Sequence, residues 1–223
     1  MRPGLDKQLE ELKKEMTTMG MLCESAAARA CHGLLSCDPG QAGELPELLD
    51  RVVQKERAIE GICLRLLLQQ QPVAKDLRMV SAALKMVTDA QRIGTQSADI
   101  GELVAMGNIQ AIPEDLPLRE MATAVVKMVT ESIDAFVKQD GKIARDVIEY
   151  DDVADGYFDE IKAGLIRELK TPDANGEAAV DLLMAAKYLE RIGDHAVNIA
   201  KWVLFSMTGS LQWDRDKRTG NGS

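Results

Sequence analysis

Apolar residues recur at three- and four-residue steps along almost the whole chain, beginning with Leu5, Leu9, Leu12, Met16, Met19, Cys23, Ala26 and Ala30. That spacing lays one apolar stripe along a helix. The first helix should stop at Cys37-Asp38-Pro39-Gly40, where proline and glycine coincide. A second is predicted from about Leu45 to Gln70, ended by Gln71-Pro72, and a third from near Ala74 to about Met106. Gly107, Pro113 and Pro117 mark a break. A fourth helix then spans Leu118 to Lys138, with Met121, Val125, Met128, Val129, Ile133 and Phe136 on one stripe. After Asp140-Gly141 come a fifth helix, Ile143 to Leu169, a turn at Thr171 to Gly176, and a sixth helix, Glu177 to Met207. No segment alternates with the period of a half-buried strand. Short connections make neighbouring helices antiparallel. The pattern predicts an all-α protein of two tandem, pseudo-symmetric three-helix bundles: residues 1–108, a linker at 109–117, residues 118–208, and a polar, frayed tail at 209–223.

The two halves are also linked by a repeat. The sixth helix reads Tyr188-Leu189-Glu190-Arg191-Ile192-Gly193-Asp194-His195-Ala196-Val197-Asn198-Ile199-Ala200. A faded copy, Asp89-Ala90-Gln91-Arg92-Ile93-Gly94-Thr95-Gln96, stands 99 positions earlier, counting from Gln91 to Glu190. Long-period similarity of this kind marks a unit built twice.

In the later copy, Glu190, Asp194 and Asn198 fall in one line at the edge of the apolar arc. Like charges one turn apart repel by a few tenths of a kcal/mol, so a compensating cation is the sharpest reading. On the fifth helix Asp151 and Asp155 are likewise one turn apart. If the two helices are antiparallel neighbours, four carboxylates share one patch and raise one another's pKa unless a cation neutralises them. Oxygen ligands suit iron, manganese, magnesium or zinc, and the residues alone do not choose among them. The plainer reading makes these acids solvated rim charges paired with Lys187, Arg191 or Lys201. Mid-helix Gly193 costs about 1 kcal/mol against alanine and is expected to admit a closely packed neighbour. In the first half Glu56 and Glu60 are the equivalent acids, but their partners are the uncharged Gln91 and Thr95, with Asp89 and Asp99 flanking. Weaker or absent cation binding is expected there.

A formal net charge of -9 removes nucleic-acid backbone binding, which needs a basic stripe. The same acidity argues against bare side chains gripping a free anion such as phosphate. Cys23, Cys31, Cys37 and Cys63 form no Cys-x-x-Cys pair and read as small core residues in a reducing compartment. No apolar leader opens the chain and no apolar run approaches the ~20 residues of a membrane span, so a cytoplasmic protein is expected. His195 points away from Asp194 on the helix wheel and is placed behind a ligand rather than at a metal; His32 gives no signal. The lack of a Glu-x-x-His pair argues against a di-iron bundle. With no glycine-rich phosphate loop and no nucleophile–base pair, an enzyme is not indicated.

Gln71-Pro72-Val73-Ala74-Lys75-Asp76-Leu77-Arg78, with Ala82-Ala83-Leu84-Lys85 and Thr88-Asp89, resembles the first repeat of the PhoU family of phosphate uptake regulators. Leu189 to Ala200 resembles the second repeat, and the likeness spans Leu5 to about Met207. It implies two three-helix bundles bearing multinuclear metal clusters, iron first, on Glu/Asp-x-x-x-Asp motifs. By that likeness Asp151, Asp155, Glu190 and Asp194 are the second-repeat ligands, and Glu56 and Glu60 match part of the first. The resemblance further implies a negative regulator of phosphate uptake and of the phosphate-starvation response. Such a regulator connects the ATPase of a phosphate ABC transporter to a sensor histidine kinase, is peripheral to the membrane through those partners, and has room for a homodimer. Two rivals remain: a metal-dependent hydrolase on a helical bundle and a metal-free helical adaptor.

Overall fold

The computed structural model describes residues 3–172 and 174–210. Its elements are α1 (Pro3–Ser36), α2 (Pro39–Ala42), α3 (Leu45–Arg65), a π-helical turn at Leu66–Gln70, α4 (Ala74–Ala105), α5 (Leu118–Lys138), α6 (Gly141–Glu168) and α7 (Gly176–Thr208). All six predicted helices are present, and no strand occurs among the described residues. The short α2 is an addition. The chain leaves α1 through Cys37, at φ 52, and the Asp38 carboxylate then caps α2 by accepting from the Gly40 N–H at 2.9 Å. The second helix ends in a wider π turn at Leu66–Gln70, and Gln71 at φ 45 turns the chain ahead of Pro72. Side-chain caps also start α6 and α7: Asp140 accepts from the Lys142 N–H at 2.7 Å, and Asn175 from the Ala178 N–H at 3.2 Å. Gly209, at φ 77, closes α7. The predicted tail beyond residue 210 lies outside the described residues.

Each half is a three-helix unit: α3 packs on α1 and α4, and α6 packs on α5 and α7. The halves then join through α4 against α7 and α1 against α5. Along the first seam Arg78 meets Gly209, Asp89 meets Asn198, and Asn108 meets Asp181, so numbers rise on α4 as they fall on α7. Along the second, Gly20 meets Ile133 and Cys31 meets Ala122. Both seams are therefore antiparallel, which is the signature of a pseudo-two-fold relation between repeats. The packing at α1–α5 is close: a Cβ on Gly20 would lie 2.5 Å from Ile133 Cγ2. Glycine is what lets the two rods approach.

The predicted stripes supply one continuous core. Leu12, Met19 and Leu34 of α1, Met86, Ile93 and Ile100 of α4, and Met121 and Met128 of α5 are almost completely buried. Each such side chain contributes about 1.5–3 kcal/mol of transfer free energy, which is why the halves do not hang as separate beads. The connection between them is pinned as well. Ile109 and Leu116 are buried, and Asn108 Nδ2 donates to Asp181 Oδ2 at 2.9 Å. All four cysteines are free thiols, and burial pushes Cys23, Cys31 and Cys63 up to about 12. Those three stay protonated at neutral pH. Among the described residues no helix is long and apolar enough to cross a membrane.

Candidate metal centre and the groove beside it

On α6 and α7 the acids face one another as antiparallel packing requires. Asp151 feels Asp155 and Asp194, and Asp155 feels Glu190 and Asp194. Burial followed by this mutual repulsion pushes the Asp151 carboxyl up to about 6 and raises Asp155 and Asp194 as well. Two lysines oppose the crowding. Lys187, one turn before Glu190, bonds Glu190 Oε2 and lies 5.2 Å over the Phe158 ring, and Lys201 favours the charged forms of Asp151 and Asp194. The plain reading of lysine-paired acids thus holds for Glu190, whose side chain is only 17 % exposed. It leaves Asp151, Asp155 and Asp194 incompletely balanced.

The first half is built differently. Burial and then Glu60 raise the Glu56 carboxyl, while Arg57 and Arg92 draw it back. Across from them Gln91 Nε2 donates to Thr95 Oγ1 at 2.9 Å, so two neutral groups satisfy each other where the second half has Glu190 and Asp194. Asp89 and Asp99 lie on the α4–α7 seam, and Asn198, one turn beyond Asp194, reaches across it to Asp89. Asp89 Oδ1 lies 2.9 Å from His195 Nδ1 and accepts from Asn198 Nδ2 at 3.2 Å. Asp99 is raised by burial and Glu102 and lowered by Arg191. His195 takes its partner, Asp89, from the other half, and also favours the charged form of Asp194. His32 is exposed.

The expectation for Gly193 needs correction. A Cβ there would meet Met128 Cε at 3.6 Å and Asp151 Oδ1 at 4.0 Å, ordinary van der Waals contacts. No helix backbone presses on it.

Sequence reasoning missed a groove of about 440 Å³ along the same seam, lined by Arg92, Gln96, Asp151, Arg191, Asp194, His195, Asn198 and Lys201 among others. The signal was present in the repeat. Arg92 and Arg191 hold equivalent positions, as do Gln96 and His195, each pair 99 residues apart. An antiparallel seam brings equivalent positions near its midpoint together.

The donor chemistry of the second half fits a hard or borderline cation: four carboxylates on two facing helices, three of them with disfavoured charge. Among the described residues no three His, Cys, Asp or Glu side chains already converge as a ligand set. Carboxylate rotamers must therefore swing inward for one ion to be shared.

Residues 16–104 and 118–203 each match the PhoU domain. A Pseudomonas aeruginosa protein described as a phosphate-specific transport system accessory protein PhoU homolog is 32% identical over 209 residues, covering 91% of this chain and 85% of that one. The crystal structure of PhoU from Pseudomonas aeruginosa superposes with a TM-score of 0.87 at 31% identity, covering 92% of this chain and 99% of that one. The phosphate transport system regulatory protein PhoU from Streptococcus pneumoniae gives 0.84 at 26% identity, covering 93% and 98%. With both halves of the helical repeat matched, this chain belongs to the PhoU family.

Proposed function

We propose that this chain is a non-enzymatic accessory regulator of phosphate transport whose second repeat carries a cation on Asp151, Asp155, Glu190 and Asp194. Support for the transport role comes from the relatives, which are named as accessory proteins of the phosphate-specific transport system. The observation that carries the cation is the electrostatic imbalance on α6 and α7, where burial and mutual repulsion disfavour three carboxylates at once. A bound cation would supply positive charge to that patch and cross-link the two helices. The chain's own part is to hold the acids on rigid helices, with Lys187 restraining Glu190 until it is displaced. The first repeat, with Gln91 and Thr95 bonded to each other, holds less metal or none. Iron leads by family likeness, with manganese, zinc or magnesium as alternatives.

In this reading the chain works in the cytoplasm as a negative regulator, touching the ATPase of a phosphate ABC transporter and a sensor histidine kinase, alone or as a homodimer. Elemental analysis of the wild type and of Glu190→Ala/Asp194→Ala tests the site: the double variant should lose its metal and keep its helicity. Equal metal content in both would remove the assignment. Co-purification with a phosphate-transporter ATPase tests the partner, and its failure with metal-replete protein would count against the adaptor role.

A further inference from the structure

We infer that the groove between the two halves is a binding site for inorganic hydrogen phosphate, clamped by Arg92 and Arg191 and read by Gln96. The chain's net charge of -9 argues against any anion site on average, but the fold concentrates the exceptions. Arg92 from α4 and Arg191 from α7 line one groove with Lys201 and His195. Arg92 acts on Glu56 and Arg191 on Asp99, yet among the described residues neither arginine forms a contact ion pair with a carboxylate. Two guanidinium forks brought to one groove without such a partner favour an anion between them, and a tetrahedral oxyanion matches their paired N–H donors. Asn198, held on Asp89, adds an amide at the same wall.

Two features select among oxyanions. Gln96 lines the groove while only 7% exposed, and its Oε1 is buried with no hydrogen-bond partner. A buried acceptor left alone is costly. As the side chain lies, that acceptor is closed off from the groove's solvent, so an anion reaches it only when the Gln96 amide turns toward the groove; one that still carries a proton then relieves the lone acceptor. Hydrogen phosphate keeps one proton at any physiological pH. Sulfate keeps none, and a phosphate monoester loses its second proton with a pKa of about 6. Asp151 and Asp194, also on the groove wall, repel every dianion alike, and only one that carries a proton offsets that repulsion by donating to a carboxylate. The site stands on the basic groups and Gln96, not on the cation proposed above. A cation on the acids would only make the groove more positive.

Isothermal titration calorimetry of the full chain, metal-free and separately manganese-loaded, at about pH 8 with inorganic phosphate, sulfate and glycerol phosphate tests this. The metal-free chain should bind one phosphate saturably, and sulfate and glycerol phosphate about tenfold more weakly or worse. Arg92→Gln and Arg191→Gln, both at exposed positions, should each weaken phosphate about tenfold or more while circular dichroism stays unchanged. Gln96→Leu should erase the preference over sulfate. The inference fails if metal-free protein shows no saturable phosphate binding, if both arginine variants bind as the wild type, or if sulfate binds equally well. Binding that needs manganese and survives both arginine substitutions would also overturn it. Because that outcome leaves metal content intact, it is separable from loss of the acid site.

Discussion

Asp89 on α4 and His195 on α7 meet at 2.9 Å across the seam, each less than a quarter exposed, at 16% and 23%. The same carboxylate oxygen takes the Asn198 amide. One acid of the first half therefore gathers two polar groups of the second across the contact of α4 with α7. Removing the acid strands both donors.

The first prediction concerns that clasp. Asp89→Ala should destabilise the chain by about 1–3 kcal/mol, since it leaves partly buried donors without an acceptor. Asp89→Asn should recover much of the loss through its amide oxygen. Urea unfolding of Asp89→Ala, His195→Ala and the double variant gives the coupling, expected at about 0.5–3 kcal/mol. Strict additivity would show that the two residues are independent.

Two glycines make opposite predictions. On α1, Gly20→Ala puts a methyl against Ile133 and should cost about 1–3 kcal/mol by overpacking the α1–α5 seam. On α7, Gly193→Ala meets Met128 only at 3.6 Å and should stabilise by up to about 1 kcal/mol through helix propensity. Thermal melts of the two variants decide both. A destabilised Gly193→Ala would mean that α5 and α7 tolerate no added volume at that point.

The contrast shows what the residues alone convey. Periodicity identified the six helices because each apolar stripe is a local property of its own segment, and the Asp140-Gly141 and Thr171-to-Gly176 breaks are local as well. The facing of Asp151 and Asp155 on Glu190 and Asp194 also followed, because a short turn forces α6 and α7 to be antiparallel neighbours. Asp89, Asp99 and Asn198 were a different matter. A helical wheel says that such residues lie beside the apolar arc, but not which helix covers that edge. Only the docking of α4 on α7 turned the flanking acids Asp89 and Asp99, and the amide Asn198 in line with Glu190 and Asp194, into seam contacts, and the same docking created the groove of Arg92 and Arg191. Gly193 failed for the same reason: a glycine in a helix signals a near neighbour without saying whether backbone or a pliant methionine stands there.

Asymmetry between the repeats gives a third prediction. The repeat gives Glu56 and Glu60 the uncharged Gln91 and Thr95, which bond each other, as counterparts on α4 rather than a second pair of acids. Gln91→Glu with Thr95→Asp should raise the metal held per chain, read by elemental analysis against the wild type. The new acids enter beside Glu56, whose charge is already disfavoured, so the metal-free variant should also melt lower. No gain in metal would show that charge count is not what separates the two repeats.

The last prediction is a pH dependence. Asp151 has its folded-state pKa raised from 3.8 to about 6, and Asp155 and Asp194 are raised as well. Between those values the folded chain binds more protons than the unfolded one. The stability that Asp151 contributes is therefore fully present below about 3.8 and is lost as pH rises through about 6, and Asp155 and Asp194 act in the same direction. The three acids are partly open to solvent, so screening reduces the size of the effect but not its sign. Metal-free Asp151→Asn should lose part of this fall, melting above the wild type near neutral pH and close to it near pH 4. A cation competes with the same protons. Manganese should thus raise the wild-type melting temperature more at about pH 7.5 than at about pH 5, and should do little for Asp151→Asn. An equal manganese shift at both pH values would place the ion away from these carboxylates.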